Sequence, residues 1–176
     1  EAPMNAPLTP DGVCQTSRNF PFAPPEVFAA FANAEQLAAW WGPDGFSNTF
    51  EVFEFKSQGR WKFLMHGPDG KTYPNECVFL AVSPERIVIR HTNAPNFTLT
   101  VTLNGIENQT DLRWHQAFDD PRVAATIEHI IVPANEQNLN RLQASLAMAQ
   151  SNAWLEPWGV MYKSDRAHII VISNAR

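Results

Sequence analysis

Cysteine is scarce, with Cys14 and Cys77 the only two in 176 residues. Two thiols so far apart in sequence make no disulfide framework, and neither belongs to a C-x₂-C pair of metal-ligand spacing. The five histidines (His66, His91, His115, His129 and His168) are scattered, and no H-E-x-x-H cluster occurs. No metal and no cofactor are therefore expected. The thiols are read as reduced and the compartment as cytoplasmic. Long apolar runs are missing as well: none approaches the roughly eighteen residues of a spanning helix. Basic charge is in the minority, 13 Lys and Arg against 18 Asp and Glu for a net charge of −5. Such a chain repels phosphate backbones and anionic lipid, so neither nucleic acid nor a membrane is an expected partner. There is also no Gly-rich phosphate loop, no paired-carboxylate spacing and no Ser-His-Asp pattern. With no catalytic motif, no catalytic residue is assigned.

What the chain has is phenylalanine and tryptophan, twelve and six of them against two tyrosines. These rings bring large apolar area with little hydrogen-bonding demand. They either fill a bulky core or line a cavity, since ligand sites are mostly apolar with a few placed polar groups. A chain of this mass buries about 70% of its unfolded surface, enough for one domain without staples. Residues 1–13, rich in Pro and small side chains, are expected to form a flexible N-terminal arm. They lack the basic and apolar regions of a signal peptide, and the Glu-Ala-Pro before Met4 is read as an expression remnant.

A first strand is expected over Cys14–Phe22. Prolines 24 and 25 with Glu26 open a short helix that carries Val27, Phe28 and Phe31. Asn33, followed three residues on by Gln36, caps a second helix with Leu37, Trp40 and Trp41, which Gly42-Pro43 stops. From Asn48 to Phe118 the apolar period is two: Trp61, Phe63 and Met65, then Thr72–Val82, Arg86–His91, Phe97 to Leu103, and Leu112 to Phe118. Turns are expected at Gly67–Gly70, Ser83–Glu85 and Asn104-Gly105. Asp120-Pro121 starts a long helix that Pro133 must kink or restart, and Leu139, Leu142 and Leu146 then share one side. The order is strand, two short helices, six strands, long helix. This predicts an α+β helix-grip fold: a curved antiparallel sheet wrapped around a long C-terminal helix, with a cavity between them.

Six blocks carry a resemblance: Phe22-Ala-Pro-Pro-Glu-Val-Phe28, Trp40-Trp-Gly-Pro43, Gly59-Arg-Trp-Lys-Phe63, His66-Gly-Pro-Asp-Gly70, Tyr73-Pro-Asn-Glu76 and Asn135-Glu-Gln-Asn-Leu139. In this order and spacing they resemble the homologues of the activator of heat-shock-protein-90 ATPase, in the START-like or Bet v 1-like (SRPBCC) superfamily. The likeness covers roughly Cys14 to Ala147. It implies a START-like domain over residues 14–147 and leaves 148–176 as a C-terminal extension. Within that extension Ile169–Ile172 is an apolar run suited to an extra strand or a homodimer contact.

If Phe97, Leu99 and Val101 face inward, a three-residue Ser83–Glu85 connection pairs Val82 with Arg86, Ala81 with Ile87, Phe79 with Ile89 and Cys77 with His91. Tyr73, Asn75, Cys77 and Phe79 then also point inward. Tyr73, Asn75, His91 and Gln116, walled by Trp41, Trp61 and Trp114, are the candidate ligand-binding residues. The plain alternative is that each polar group satisfies a neighbour or a buried water. Cys77 beside His91 has the makings of a nucleophile pair, but buried cysteine is usually inert packing. The expected function is binding of a small hydrophobic or aromatic molecule. Stimulation of a chaperone ATPase, which the family resemblance implies, and a cyclase or hydrolase using the same cavity are the alternatives.

Overall fold

The computed structural model describes residues 8–155. Strand β1 (Val13–Phe20) is followed by helices α1 (Pro24–Ala32) and α2 (Ala34–Trp40). Then come β2 (Ser47–Phe53), β3 (Arg60–His66), β4 (Thr72–Ser83), β5 (Arg86–His91), β6 (Phe97–Ile106) and β7 (Gln109–Phe118). Helix α3 (Pro121–Leu155) closes the described chain. The seven strands form one antiparallel sheet in the order β1-β7-β6-β5-β4-β3-β2. The helices cover one face of it, which is the predicted helix-grip arrangement.

Local chemistry sets the element ends. Asn33 Oδ1 accepts from the Gln36 backbone N–H at 2.9 Å and starts α2. Asp120 Oδ1 accepts from the Arg122 N–H at 2.9 Å and starts α3. That helix runs unbroken through Pro133, without the expected restart. Pro133 and His129 both lie on the exposed side, so the carbonyl that loses its intrahelical donor can be hydrated. The helix continues to Leu155, eight residues into the stretch read as a separate extension. Ile169–Ile172 lies outside the described residues.

Two turn readings are corrected. Asn104-Gly105 is not a turn, because β6 continues to Ile106 and the hairpin reverses at Glu107-Asn108, with Glu107 at φ 56°. Gly105 serves a close approach instead: a Cβ there would sit 2.9 Å from Pro24 Cγ, where α1 crosses the sheet. Between β4 and β5 the hairpin pairs Ser83 with Arg86, so its loop is two residues rather than three. Val82 therefore faces Ile87 and Ala81 faces Val88. A bulge at Leu80 takes up the extra residue and restores the expected pairs Phe79–Ile89 and Cys77–His91.

The main core lies between the sheet and the helices. Trp40, Trp61, Trp114, Phe20, Phe31, Phe63 and Phe79 are all almost fully buried in it, with Leu37, Leu139, Leu142 and Leu146 from the helices. The middle of α3 is tied to β1 by Arg18, which donates to Glu136 Oε2 at 2.8 Å and to Asn140 Oδ1 at 2.6 Å.

Candidate functional site

The strand register lays inward side chains in rows across the sheet. One row runs Gln116, Leu99, Ile89, Phe79, and the next runs Phe97, His91, Cys77, Trp61. Where these rows reach the first half of α3 the packing opens into a cavity of about 230 Å³. Its apolar walls include Trp41, Phe63, Leu99 and Trp114. Its polar lining is Asn75, His91, Gln116, Asn135 and Asn138, all but Asn75 at least nine-tenths buried.

Five of the seven candidate residues line this space: Trp41, Asn75, His91, Trp114 and Gln116. Trp61 does not. It is fully buried in the core, stacked on Phe63 at 4.4 Å and on Phe79 at 5.5 Å, with its edge toward Trp41. Tyr73 is also absent from the lining and, contrary to the inward reading, is 42% exposed. At the start of β4 its hydroxyl reaches out to donate to Asp69 Oδ2 of the preceding turn at 2.9 Å. The period-two rule assigns a face, but it does not say how far along that face the sheet stays covered.

The polar groups form two sets. His91 stacks flat on Phe97 at 4.6 Å, with Nδ1 2.8 Å from the Pro95 carbonyl oxygen and Nε2 2.8 Å from Asn75 Oδ1. Both contacts are satisfied at once only by a doubly protonated ring. Burial opposes that charge and holds the His91 pKa below its ordinary value, with Arg90 adding a smaller push the same way. In the second set Asn135 Nδ2 donates to Gln116 Oε1 at 3.0 Å and to Cys14 Sγ at 3.5 Å. Asn138 Oδ1 accepts from the Gly42 backbone N–H at 3.1 Å.

Asn135 and Asn138 were not foreseen as site residues. Both sit within the unbroken helix α3. The signal was nonetheless there: positions 135, 138, 139, 142 and 146 share one stripe at helical spacing, so the two asparagines continue the inward leucine face. The loop after α2 that carries Trp41, Gly42 and Pro43 into the cavity wall is held from behind by Arg141. Its guanidinium donates to the carbonyls of Ala39, Trp41, Gly42, Pro43 and Phe46 at 2.8–3.2 Å. Gly42 is required there by its φ of +95°, a left-handed backbone that other residues rarely adopt.

Cys77 lies opposite His91 as expected, but burial pushes its thiol up to about 12. Both His91 nitrogens are committed elsewhere, so the pair lacks an activated thiolate. Among the described residues no group of three or more His, Cys, Asp or Glu is placed to hold a metal ion. No helix among them is long and apolar enough to cross a membrane.

Comparison with known proteins matches residues 21–147 to the family model described as Activator of Hsp90 ATPase homolog 1-like protein. A search of the curated proteins found no match. Solved structures share the fold at low identity. One from Arthrobacter aurescens, determined by solution NMR, is 21% identical with a TM-score of 0.71, covering 77% of this chain and 86% of its own. One from Nitrosomonas europaea is 17% identical with a TM-score of 0.72, covering 79% and 96%. A protein from Silicibacter pomeroyi, titled as a member of the same family, is 19% identical with a TM-score of 0.63, covering 78% and 99%.

Proposed function

This chain belongs to the Activator of Hsp90 ATPase homolog 1-like family, and we propose that it is a START-like binding domain holding a small hydrophobic or aromatic molecule between sheet and α3. The observation that carries this reading is the cavity itself. A core built only for stability would close around its rings, as this one does about Trp61. At the other end, about 230 Å³ is left open and five polar side chains are spent on its lining. Apolar walls with a few fixed polar groups are the usual make-up of a small-molecule site. An enzymatic role has less support, because the one thiol–imidazole pair in the cavity is not activated.

Native mass spectrometry of freshly purified protein, compared with the denatured mass, tests the proposal. An extra mass lost on denaturation supports it. A bound molecule should also raise the melting temperature, with a stabilisation of about 2.7 kcal/mol at a hundredfold excess over Kd. Equal masses, and no melting shift with any of a panel of small aromatic compounds, would overturn it. A chaperone partner is the second reading, favoured by the family's descriptive name. Stimulation of a chaperone ATPase by a chain whose cavity binds nothing would put it first.

A further inference from the structure

We propose that the ligand of this cavity is compact and neutral, of on the order of ten non-hydrogen atoms, with a carbonyl or comparable acceptor as its polar group. This rests on the binding role proposed above and adds a chemical class to it. Size gives the first limit. An apolar cavity of ~150 Å³ takes one benzene ring, so about 230 Å³ accommodates a ring with a short substituent and no long acyl chain.

The hydrogen-bonding groups left over give the second limit. Asn75 and His91 are held by nearby groups: Asn75 Nδ2 donates to the Tyr73 carbonyl at 3.0 Å, and the two His91 nitrogens lie 2.8 Å from the Pro95 carbonyl and from Asn75 Oδ1. Asn138 is fixed in orientation, because its Oδ1 faces the Gly42 N–H, and its NH₂ has no partner among the described residues. In the Gln116–Asn135 pair, the Gln116 NH₂ and the Asn135 carbonyl are left open. The Trp114 indole N–H, like that of Trp61 in the closed core, is buried away from any space a water could reach and is not among the groups facing the cavity. Two donor groups, on Gln116 and Asn138, thus stand against one acceptor, on Asn135, each on a residue that lines the cavity. A ligand that displaces water from these donors must offer them an acceptor in its place.

Charge gives the third limit. No Asp, Glu, Lys or Arg lines the cavity. The nearby guanidinium of Arg141 is spent on five backbone carbonyls. A carboxylate entering this space would lose its water without gaining a counter-charge.

The test uses three probes of one shape: acetophenone, α-methylstyrene (the same skeleton without the acceptor) and benzoate (the charged version). They are titrated into the full chain and followed by amide NMR shifts. Acetophenone is expected to bind at least about tenfold more tightly than α-methylstyrene, with no saturable binding of benzoate. Equal affinities for the first two would overturn the acceptor requirement while leaving the binding role intact. Benzoate binding best would overturn neutrality, and displacement of acetophenone by decanoate would overturn the size limit. If none of the three binds but native mass spectrometry finds a captured molecule, the chemical class alone falls. If neither experiment finds binding, both proposals fall. Gln116→Met sharpens the test: the preference for acetophenone over α-methylstyrene should shrink, and an undiminished preference would overturn the role of the Gln116 NH₂ in the acceptor requirement. Should this variant not fold, the three-probe comparison on the unaltered chain decides.

Discussion

The two ends of the sheet's concave face use the same kinds of residue to opposite effect. Around β2, β3 and the middle of β4, Phe50, Phe53, Phe55, Trp61, Phe63 and Phe79 pack ring on ring at centroid distances of 4.4–6.1 Å. Around β5–β7 and the first half of α3, Trp41 still packs on Trp114 at 5.7 Å, but Phe97 lies flat on His91 at 4.6 Å and the cavity opens beside these rings. The difference lies in what faces the rings. At the closed end rings meet rings. At the open end they meet one another and also His91, Gln116, Asn135 and Asn138, whose amides and imidazole are tied to partners at the edges instead of filling volume. A cavity here comes less from missing bulk than from polar side chains held back by partners at the edges.

The comparison breaks most visibly at Trp61. Trp61→Ala should cost about 3–5 kcal/mol in denaturant unfolding, the penalty of a large hole in close packing; a loss below about 2 kcal/mol would mean the closed end is looser than described. Arg141→Met comes next. It strips five carbonyls of one charged donor and should cost about 2–3 kcal/mol, read as a lower unfolding midpoint, while weakening ligand binding through the displaced Trp41–Pro43 wall. A pair of enlargements sharpens the contrast. Leu99→Phe adds a ring where there is room and should change stability by less than about 1 kcal/mol while abolishing ligand binding, whereas Phe79→Trp at the closed end should cost about 1–3 kcal/mol. Matching penalties for the two would remove the distinction.

The smallest effect is that of pH. Burial lowers the His91 pKa in the folded protein, so the unfolded chain takes up the proton first. The neutral ring's contribution is complete above the unfolded value of about 6.5 and is lost as pH falls through the lower folded value. Melting temperatures measured from pH 7 to pH 5 should therefore fall more steeply for the unaltered chain than for His91→Gln. Identical slopes would show that His91 is not held neutral by its surroundings.

Much of this arrangement could be read from the chain. Strict alternation from Phe97 to Leu103 placed the inward face of β6, and the capping residues Asn33 and Asp120 placed two helix starts, because both signals are local. Register across the sheet was harder. The Cys77–His91 pair came out as expected only because an overlong loop reading and an unforeseen bulge at Leu80 offset each other. Side-chain alternation cannot see a bulge, which changes the count without changing residue types. Tyr73 and Trp61 show the remaining gap. Both lie on strands that also supply the cavity wall, but exposure at one site and close packing at the other depend on where α3 and the Trp41–Phe46 loop come to rest. Arg141 fixes part of that placement through backbone carbonyls, which no residue pattern marks.

The sheet order carries a consequence for how the molecule assembles. Strands β2 to β7 join neighbour to neighbour, but β1 pairs with β7, and its Thr16 and Arg18 side chains bind Glu136 on α3. During synthesis the first strand to emerge therefore waits for partners that follow about a hundred residues later, a long loop closure deferred until the hairpins have formed. The cavity, walled by α3 as well as by the sheet, exists only after that docking. A bound molecule can thus slow the opening of the finished fold, but it has nothing to hold while the chain is still folding.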